Sequence, residues 1–283
     1  MDIDFSKMHG LGNDFVVIDG VNQAVDLDEA QRRLIADRHL GIGCDQILLL
    51  QASTDDQHDF VYRIFNADGG EVEQCGNGAR CITRFAIDHS LSNKSLIHFK
   101  TSTGSINCEA LANGNVRVDM GAPKFSAQSL PFIPSLATES NSDTTDYQIS
   151  VSDISIEFSI ASMGNPHAAI PVENIQTAPV IEHGAFLGAH SAFPEGVNVG
   201  FMQIIDNNHI KLRVFERGAG ETLACGTGAC AAVAVGRRHG VLEESVRVDL
   251  PGGTLQIEWS GQDDAPLFMS GPAESVFNGK ISL

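Results

Sequence analysis

The sequence has little positive charge: 18 Lys and Arg side chains stand against 36 Asp and Glu, for a formal net charge of −18. A chain this acidic is repelled by nucleic-acid phosphates and by anionic membrane surfaces. It lacks any apolar run of roughly 18 residues, the length of a membrane-spanning helix. Its first residues, MDIDFSKMHG, have no basic segment followed by an apolar stretch, as a secretory signal would. We therefore expect a cytoplasmic protein with no nucleic-acid or membrane partner.

Paired cysteine motifs are also missing. None of the six cysteines forms the C-x-x-C spacing typical of structural zinc sites and dithiol redox sites. In a chain without a secretory signal, reduced thiols are favoured over a disulfide framework. No metal site is predicted. Metal binding stays open as a minor alternative, in which the pairs Cys75/Cys81 and Cys225/Cys230 are brought together around a metal.

An internal repeat is the main positive feature. Residues 63–79, RIFNADGGEVEQCGNGA, align without a gap with residues 213–229, RVFERGAGETLACGTGA, and 8 of the 17 positions are identical. A match of this kind predicts two copies of one structural unit. Each copy places a cysteine directly before a glycine-rich turn, so the repeat indicates that the same local structure with the same role occurs twice in the chain.

Helical spacing of apolar residues follows each of these cysteines. After Cys75 it includes Ile82, Phe85 and Ala86, and Gly226–Gly236 is so rich in Ala and Val that we expect it to be buried on all sides. Strand and turn patterns surround both segments. We predict an α+β fold of two pseudo-symmetric lobes, with domains at residues 1–122 and 123–270 and a tail, 271–283, that returns to the first domain. The polar segment 135–146 is predicted to be a variable loop.

Cys75 and Cys225 are predicted to lie at helix N-termini, where the helix dipole and unpaired N–H groups favour a thiolate. The same N–H groups suit a carboxylate ligand. If the two helix ends face each other, they hold one carboxylate, with a sulfur on each side of the neighbouring carbon. One cysteine then removes the α-proton and the other returns a proton to the opposite face. This pattern favours racemisation or epimerisation of an amino acid without pyridoxal phosphate or any other cofactor.

The remaining candidates have plainer interpretations. Arg63 and Arg213 are predicted to form structural ion pairs, and Glu71 and Glu221 to be solvated or hydrogen-bonded turn residues. His167 is as consistent with a satisfied loop histidine as with a site residue. Four cysteines are predicted to be small core residues: Cys44, Cys81, Cys108 and Cys230.

Several motifs resemble the diaminopimelate epimerase family, and they extend nearly end to end. They are MHGLGNDF (8–15), RIFNADG (63–69), CGNGARC (75–81), SMGNPH (162–167), ERGAGET (216–222) and ACGTGACAAVAVG (224–236). The resemblance implies a cofactor-independent, two-cysteine epimerase that converts LL-2,6-diaminopimelate to the meso form for bacterial lysine and peptidoglycan synthesis. It also implies a homodimer, and lobes that are each a curled mixed β-sheet around a central helix.

The resemblance further implies roles for individual residues. Cys75 and Cys225 match the catalytic cysteines, and His167 and Glu216 match residues that modulate catalysis. The groups that hold the reacting carboxylate match Gly76, Asn77, Gly226 and Thr227. Other substrate-binding positions match Asn13, Gln46, Asn66, Asn165, Asn198, Glu216 and Arg217. Arg217 and the asparagines would recognise the distal amino-acid group, which simpler amino acids lack.

Two rival functions remain open at this stage. A proline or hydroxyproline racemase has a similar fold and paired cysteines, but it has no need of this asparagine and arginine set. A metal or redox protein would instead bind metal in stoichiometric amount or use a Cys75–Cys225 disulfide.

Overall fold

The structure is a computed structural model that describes residues 1–72, 75–141, 146–151 and 154–283. The chain divides into two compact units, one of residues 1–119 with 270–283 and one of residues 120–269. Residues 142–145 of the predicted variable loop lie outside the described residues, as do residues 73–74 and 152–153. No helix in the described ranges is long and apolar enough to cross a membrane.

The described residues of the first unit form two helices and a set of strands. All of these strands except the last come from the N-terminal part of the chain. Its helices are α1 (Glu29–Ala36) and α2 (Gly76–Asp88). Its strands are β1 (Asp2–Gly10), β2 (Asn13–Gly20), β3 (Gln46–Ala52), β4 (Phe60–Asn66), β5 (Glu71–Val72), β6 (Leu96–Lys100), β7 (Ser105–Ala110), β8 (Val116–Asp119) and the C-terminal β19 (Glu274–Ser282). Hydrogen bonds join them in the order β19, β1, β2, β3, β4, β6, β7 and β8, with β5 paired to β4. The β2/β3 and β4/β6 pairs are parallel and the others antiparallel, which makes this a mixed sheet.

The second unit repeats this order. Its helices are α3 (Val180–Gly188) and α4 (Gly226–Arg238). Its strands are β9 (Thr138–Asn141), β10 (Asp146–Val151), β11 (Ile154–Ser162), β12 (Pro166–Pro171), β13 (Asn198–Asp206), β14 (His209–Glu216), β15 (Gly220–Thr222), β16 (Ser245–Leu250) and β17 (Gly253–Glu258), and β18 (Phe268–Gly271) spans its C-terminal boundary. The order is β9, β10, β11, β12, β13, β14, β16 and β17, and the two parallel pairs, β12/β13 and β14/β16, match those of the first unit. The predicted α+β fold of two pseudo-symmetric lobes is confirmed.

A central helix fills each curled sheet. In the first unit, α2 packs against β1, β2, β3, β7 and β8, which lie in distant parts of the sheet order, so the sheet wraps around the helix. In the second unit, α4 packs in the same way against β11 to β14 and β17. Every residue from Gly228 to Gly236 is buried, as the Ala- and Val-rich pattern predicts. Both helices therefore begin within a packed core, which fixes the position of their N-terminal turns.

Unlike α4, α2 buries an arginine. The Arg80 side chain is fully buried, and its Nε donates a hydrogen bond to the Pro272 carbonyl oxygen at 3.1 Å. The repeat places Cys230 at the matching position of α4. This contact anchors the chain that leads into β19 against the helix, so β19 and α2 are held in one core.

Candidate active site

Cys75 is the N-cap residue of α2, as predicted. Its backbone is extended (φ −144°, ψ 109°), and its sulfur accepts a hydrogen bond from the Gly78 N–H at 3.3 Å. The sulfur thus occupies the place of a capping oxygen and faces the positive end of the helix dipole. Because Cys75 is only partly buried, a reactant can reach it.

Polar side chains from neighbouring strands surround this helix end. Asn77 Nδ2 donates to Asn13 Oδ1 at 3.2 Å, and Cys75 Sγ lies 3.8 Å from the same oxygen. Gln46 Nε2 donates to Asn66 Oδ1 at 2.8 Å, because these two residues are direct partners in the β3/β4 register. The four predicted substrate-binding side chains of the first unit therefore lie on β2, the start of β3, the end of β4 and the first turn of α2.

Cys225 is the N-cap residue of α4, but its environment differs. It is 4% exposed, and its thiol donates to Glu216 Oε2 at 3.1 Å. Burial, followed by the charge and the hydrogen bond of Glu216, raises the pKa of Cys225 well above its usual value, and the Gly228 and Thr227 donors only partly oppose this. Thr222 donates its hydroxyl to the other Glu216 oxygen at 2.5 Å, which fixes the carboxylate. Cys225 is thus held as a neutral thiol.

His167 lies in a strand and not in a loop. It lies in β12, 2% exposed, and its Nε2 is 3.0 Å from Asn165 Oδ1. Asn165 Nδ2 donates in turn to Thr227 Oγ1 at 3.3 Å, at the start of α4. Burial, with the positive charge of Arg217, lowers the pKa of His167 to about 3, so the ring is neutral at physiological pH. Since Nε2 carries the proton that Asn165 accepts, Nδ1 is a bare acceptor, and it has no partner among the described residues.

Asn198 and Arg217 complete this group. Asn198 Oδ1 accepts from the Arg217 backbone N–H at 2.9 Å, and its Nδ2 donates to the Pro166 carbonyl at 3.3 Å. The Arg217 guanidinium donates to the Glu195 carbonyl at 2.9 Å, and its stem packs against Gly196, where φ is +74°. Asn198 therefore holds the backbone at Arg217, and the Glu195 carbonyl holds its side chain.

The two units use equivalent positions. Gln46 pairs with Asn66 across β3/β4, and Asn198 occupies the matching place beside Glu216 in β13/β14. The first residues of α2 and α4 correspond in the same way, as do Asn13 and Asn165, each of which follows a glycine of positive φ (+88° at Gly12, +89° at Gly164). Each unit thus contains one set of the predicted site residues, which includes an N-cap cysteine, and we call each set a cluster.

The predicted ion pairs of Arg63 and Arg213 are present, whereas Glu71 and Glu221 lie in the short strands β5 and β15 rather than in turns. Arg63 forms a two-bond ion pair with Glu71 (2.9 and 2.7 Å), and Arg213 forms the same pair with Glu221 (2.6 and 2.8 Å). All six cysteines are free thiols. Burial raises the pKa of three of them, Cys44, Cys81 and Cys108, to about 12, which suits inert core residues. In the described ranges, no three His, Cys, Asp or Glu side chains are grouped as a metal ion would need.

Sequence reasoning missed two contributors to these clusters. Thr222 aligns with Val72 in the repeat, so no shared pattern marks it, although it anchors Glu216. Tyr62 is fully buried beneath the start of α2, and its hydroxyl has no partner among the described residues. The alternation of buried residues in β4 identifies Tyr62 as a core residue, but nothing in the sequence places its hydroxyl next to Gly78.

Gly78 makes a close contact that leads to a stability prediction. A Cβ at this position would lie 2.3 Å from the Tyr62 hydroxyl oxygen. We expect Gly78→Ala to lower the free energy of unfolding by about 1–3 kcal/mol, because the core must move to relieve the overlap. Denaturant unfolding, followed by circular dichroism, measures this change.

The double variant Gly78→Ala/Tyr62→Phe identifies the cause. Removing the hydroxyl takes away the overlapping atom and also an unsatisfied buried polar group, so most of the lost stability should return. If the double variant is as unstable as the two single changes added together, the clash with Tyr62 does not explain the effect.

Comparison with known proteins places the chain in one family. The family model described as diaminopimelate epimerase matches residues 5–126 and 159–276. The diaminopimelate epimerase of Thioalkalivibrio sulfidiphilus is 53% identical over 284 residues and covers 100% of both chains. That of Nitrosospira multiformis is 52% identical, covering 100% of this chain and 99% of its own.

Solved structures show the same fold at low identity. A hydroxyproline epimerase from Agrobacterium vitis aligns with a TM-score of 0.71 and 16% identity, covering 100% of this chain and 93% of its own. A PhzF-family phenazine biosynthesis protein from Bacillus anthracis aligns with a TM-score of 0.69 and 16% identity, covering both chains fully. These likenesses concern the fold, whereas the family follows from the full-length relatives: the chain belongs to the diaminopimelate epimerase family.

Proposed function

We propose that this chain interconverts LL- and meso-2,6-diaminopimelate, and that Cys75 and Cys225 move the α-proton without a cofactor. The observation that carries the proposal is a cysteine at the N-cap of the buried central helix in each unit. Identity of 52–54% with full-length diaminopimelate epimerases supports the substrate. The reaction lies in lysine and peptidoglycan precursor synthesis, which accords with our proposal of a cytoplasmic location.

The chemistry requires both sulfurs to reach one α-carbon from opposite faces. One cysteine, as thiolate, removes the proton, and the other, as thiol, donates one. N–H groups in the first turns of α2 and α4 would bind the reacting carboxylate through Gly76 and Asn77 in one unit and Gly226 and Thr227 in the other. Negative charge that develops on that carboxylate is then stabilised by groups already in place.

The two cysteines have unequal roles in the free enzyme. Cys225 donates its proton to Glu216 and is 4% exposed, which favours the thiol. Cys75 accepts the Gly78 N–H and is more exposed, which favours the thiolate. We propose that Cys75 is the more readily ionised base and that Cys225 is the proton donor, with the roles exchanged in the reverse direction.

The distal amino-acid group of the substrate would account for the remaining polar side chains. We propose that Asn66, Asn165, Asn198 and Arg217 contact it, because a zwitterionic group needs both donors and acceptors. The neutral His167 would accept a hydrogen bond at Nδ1 from a substrate ammonium group. Proline would leave the groups for the distal end unpaired, and this disfavours the rival racemase function.

The test is to incubate reduced enzyme with LL-diaminopimelate, L-proline and trans-4-hydroxy-L-proline in separate tubes and to follow each stereoisomer by chiral chromatography. Formation of meso-diaminopimelate alone is the expected result. Turnover of proline or hydroxyproline alone would assign the chain to the rival racemase class.

We also propose a homodimer that forms through β19. The pairing of β19 is with β1, and the side chains of Val276 (57% exposed) and Phe277 (49% exposed) lie on the surface. An edge strand with exposed apolar side chains readily pairs with a second copy. Light scattering should give twice the 30.2 kDa chain mass, and Phe277→Glu should shift it toward the monomer. Leu40→Glu, at an apolar residue that is 80% exposed, is the control, and a monomeric wild type would refute the dimer.

A further inference from the structure

Asp45 lies just before Gln46 and contacts the start of β2. Asn13 Nδ2 donates to Asp45 Oδ2 at 2.8 Å, and the Asp14 backbone N–H donates to the same oxygen at 3.1 Å. The Asp45 backbone N–H donates in return to the Asp14 carbonyl at 3.0 Å. The parallel β2/β3 pair thus brings this carboxylate directly onto the Asn13 side chain.

Arg38 holds the other carboxylate oxygen. Its Nη2 lies 2.7 Å from Asp45 Oδ1, and the same guanidinium binds Asp14 through two bonds of 3.0 and 2.7 Å. With Oδ1 held by Arg38 and Oδ2 held by two N–H donors, the Asp45 carboxylate has one orientation. Its charge is balanced by Arg38, although both side chains are half-exposed.

This arrangement fixes which end of the Asn13 amide faces the cysteine. A carboxylate only accepts hydrogen bonds, so Asn13 must turn its NH2 group toward Asp45. Its carbonyl oxygen therefore points to the start of α2, where it accepts from Asn77 at 3.2 Å and lies 3.8 Å from Cys75 Sγ. The amide orientation thus follows from its partners.

The second unit holds the equivalent amide the other way round. There the Asn165 oxygen lies 3.0 Å from His167 Nε2, and its NH2 group donates to Thr227 Oγ1 at 3.3 Å. One asparagine therefore shows an acceptor to its helix end, and the other shows a donor. The partner on the far side of the amide differs in kind, a carboxylate in one unit and a neutral imidazole in the other.

We infer that Asp45, held by Arg38, is a positioning residue for the epimerase reaction: it keeps the Asn13 carbonyl oxygen, rather than the NH2 group, toward Cys75. The neighbours of the sulfur then include the Gly78 N–H, a donor at 3.3 Å, and the Asn13 oxygen, an acceptor at 3.8 Å. This environment tolerates both the thiolate and the thiol, which Cys75 must adopt in turn when the reaction runs in its two directions. With the amide reversed, two donors would face the sulfur and retain the thiolate.

Other groups that act on Cys75 do not replace this effect. Tyr62 and Cys81 both interact electrostatically with it, and burial raises the pKa of each, so they stay neutral over the pH range of the reaction. Among the charged groups near Asn13, Asp45 accepts directly from its side chain, whereas Asp14, the next residue, is bound by Arg38 and Lys7. Asp45 is therefore the side chain whose removal should change the environment of Cys75 through Asn13.

The variant Asp45→Ala tests the inference. Because the side chain is 44% exposed, this is not a core substitution, and circular dichroism with a Tm measurement checks the fold. We expect kcat/KM for LL-diaminopimelate to fall about tenfold, the size of one hydrogen bond to a charged group. Iodoacetamide labelling of Cys75, resolved by peptide mass spectrometry, should have its pH midpoint at lower pH than in the wild type.

Two further variants separate orientation from charge. Asp45→Asn removes the charge but keeps an oxygen that can accept from Asn13, so it should restore most of the wild-type midpoint and activity. In an Asn13→Ala background, Asp45→Ala should have no further effect. Equal shifts in Asp45→Asn and Asp45→Ala, or additive effects with Asn13→Ala, would overturn the inference.

The inference rests on the proposed function only for the role of Cys75 as a base. The labelling midpoint needs no substrate, so it tests the Asp45 effect even if the chain were inactive on diaminopimelate. If the wild type is inactive but Asp45→Ala shows the expected shift of the Cys75 labelling midpoint, the proposed function alone is wrong. If the wild type is active but the midpoint does not move in Asp45→Ala, the Asp45 inference alone is wrong.

Discussion

Epimerisation of LL-diaminopimelate should fall by at least about 10³-fold when either Cys75 or Cys225 is replaced by alanine, because each variant loses one of the two proton-transfer groups. The loss should appear in kcat, since the carboxylate-binding N–H groups at both helix ends remain. Steady-state kinetics in both directions, with meso and LL substrates, measures it.

The chain carries its own matched controls on the same two helices. Cys81→Ala in α2 and Cys230→Ala in α4 remove a buried thiol fewer than two helical turns from the N-cap cysteine. Each should cost stability through the small cavity that it leaves, and activity per folded molecule should stay within a few-fold of wild type. If Cys81→Ala or Cys230→Ala were as inactive as the catalytic variants, the assignment of roles to Cys75 and Cys225 would be wrong.

Glu216→Gln should lower the pKa of Cys225 and reduce kcat/KM about 10²-fold. Burial is the largest cause of the raised pKa and remains in the variant, but the carboxylate charge, which also raises it, is removed. Without a nearby negative charge, Cys225 ionises at lower pH, so its labelling by iodoacetamide begins at lower pH than in the wild type. The proton donor is then lost earlier as the pH rises, and the alkaline limb of the pH–rate profile moves to lower pH.

Glu221→Gln is the control for this prediction. It removes an equal charge five residues along the chain from Glu216. The partner of Glu221 is Arg213 and not a cysteine. It should leave the labelling profile of Cys225 in place. A Glu216→Gln profile identical to wild type would mean that burial alone sets the state of Cys225.

The gapless repeat made much of this fold predictable. Two aligned segments with a cysteine before a glycine turn predict two similar units, and the Ala- and Val-rich run after Cys225 predicts a helix that is buried on all sides. Both N-cap positions follow from the place where apolar helical spacing begins. These features depend on residues close together in sequence, which is why a single sequence reveals them.

Features that depend on distant residues could not be predicted in the same way. The contact between Asn13 and Asp45 arises from the parallel register of β2 and β3, in which Phe15 lies opposite Gln46. The close approach of the Tyr62 hydroxyl to Gly78 depends on how the sheet wraps around α2. No local pattern reports either distance.

One helix boundary was predicted wrongly for a physical reason. The helical spacing of residues 28–39, followed by glycines at positions 41 and 43, predicts a helix that ends at about residue 40, but α1 ends at Ala36. Asp37 caps it, and its side chain accepts from the backbone N–H groups of His39 and Leu40 at 2.7 and 2.8 Å. The glycine at position 43 instead allows the chain to turn back, with its N–H bonded to the Ile35 carbonyl at 3.0 Å.

The central claim is that two different cysteines handle the departing and the arriving proton. Its most direct test is the initial reaction of unlabelled LL-diaminopimelate in D2O, with both the remaining substrate and the new product analysed by mass spectrometry after chiral separation. The account predicts that the first meso product carries one solvent deuteron and is heavier by about one dalton, because the donor thiol has exchanged with solvent, while the remaining LL substrate stays unlabelled. Product that retains the original proton, or LL substrate that gains deuterium as fast as product forms, would show one base acting on both faces and would contradict the two-cysteine mechanism.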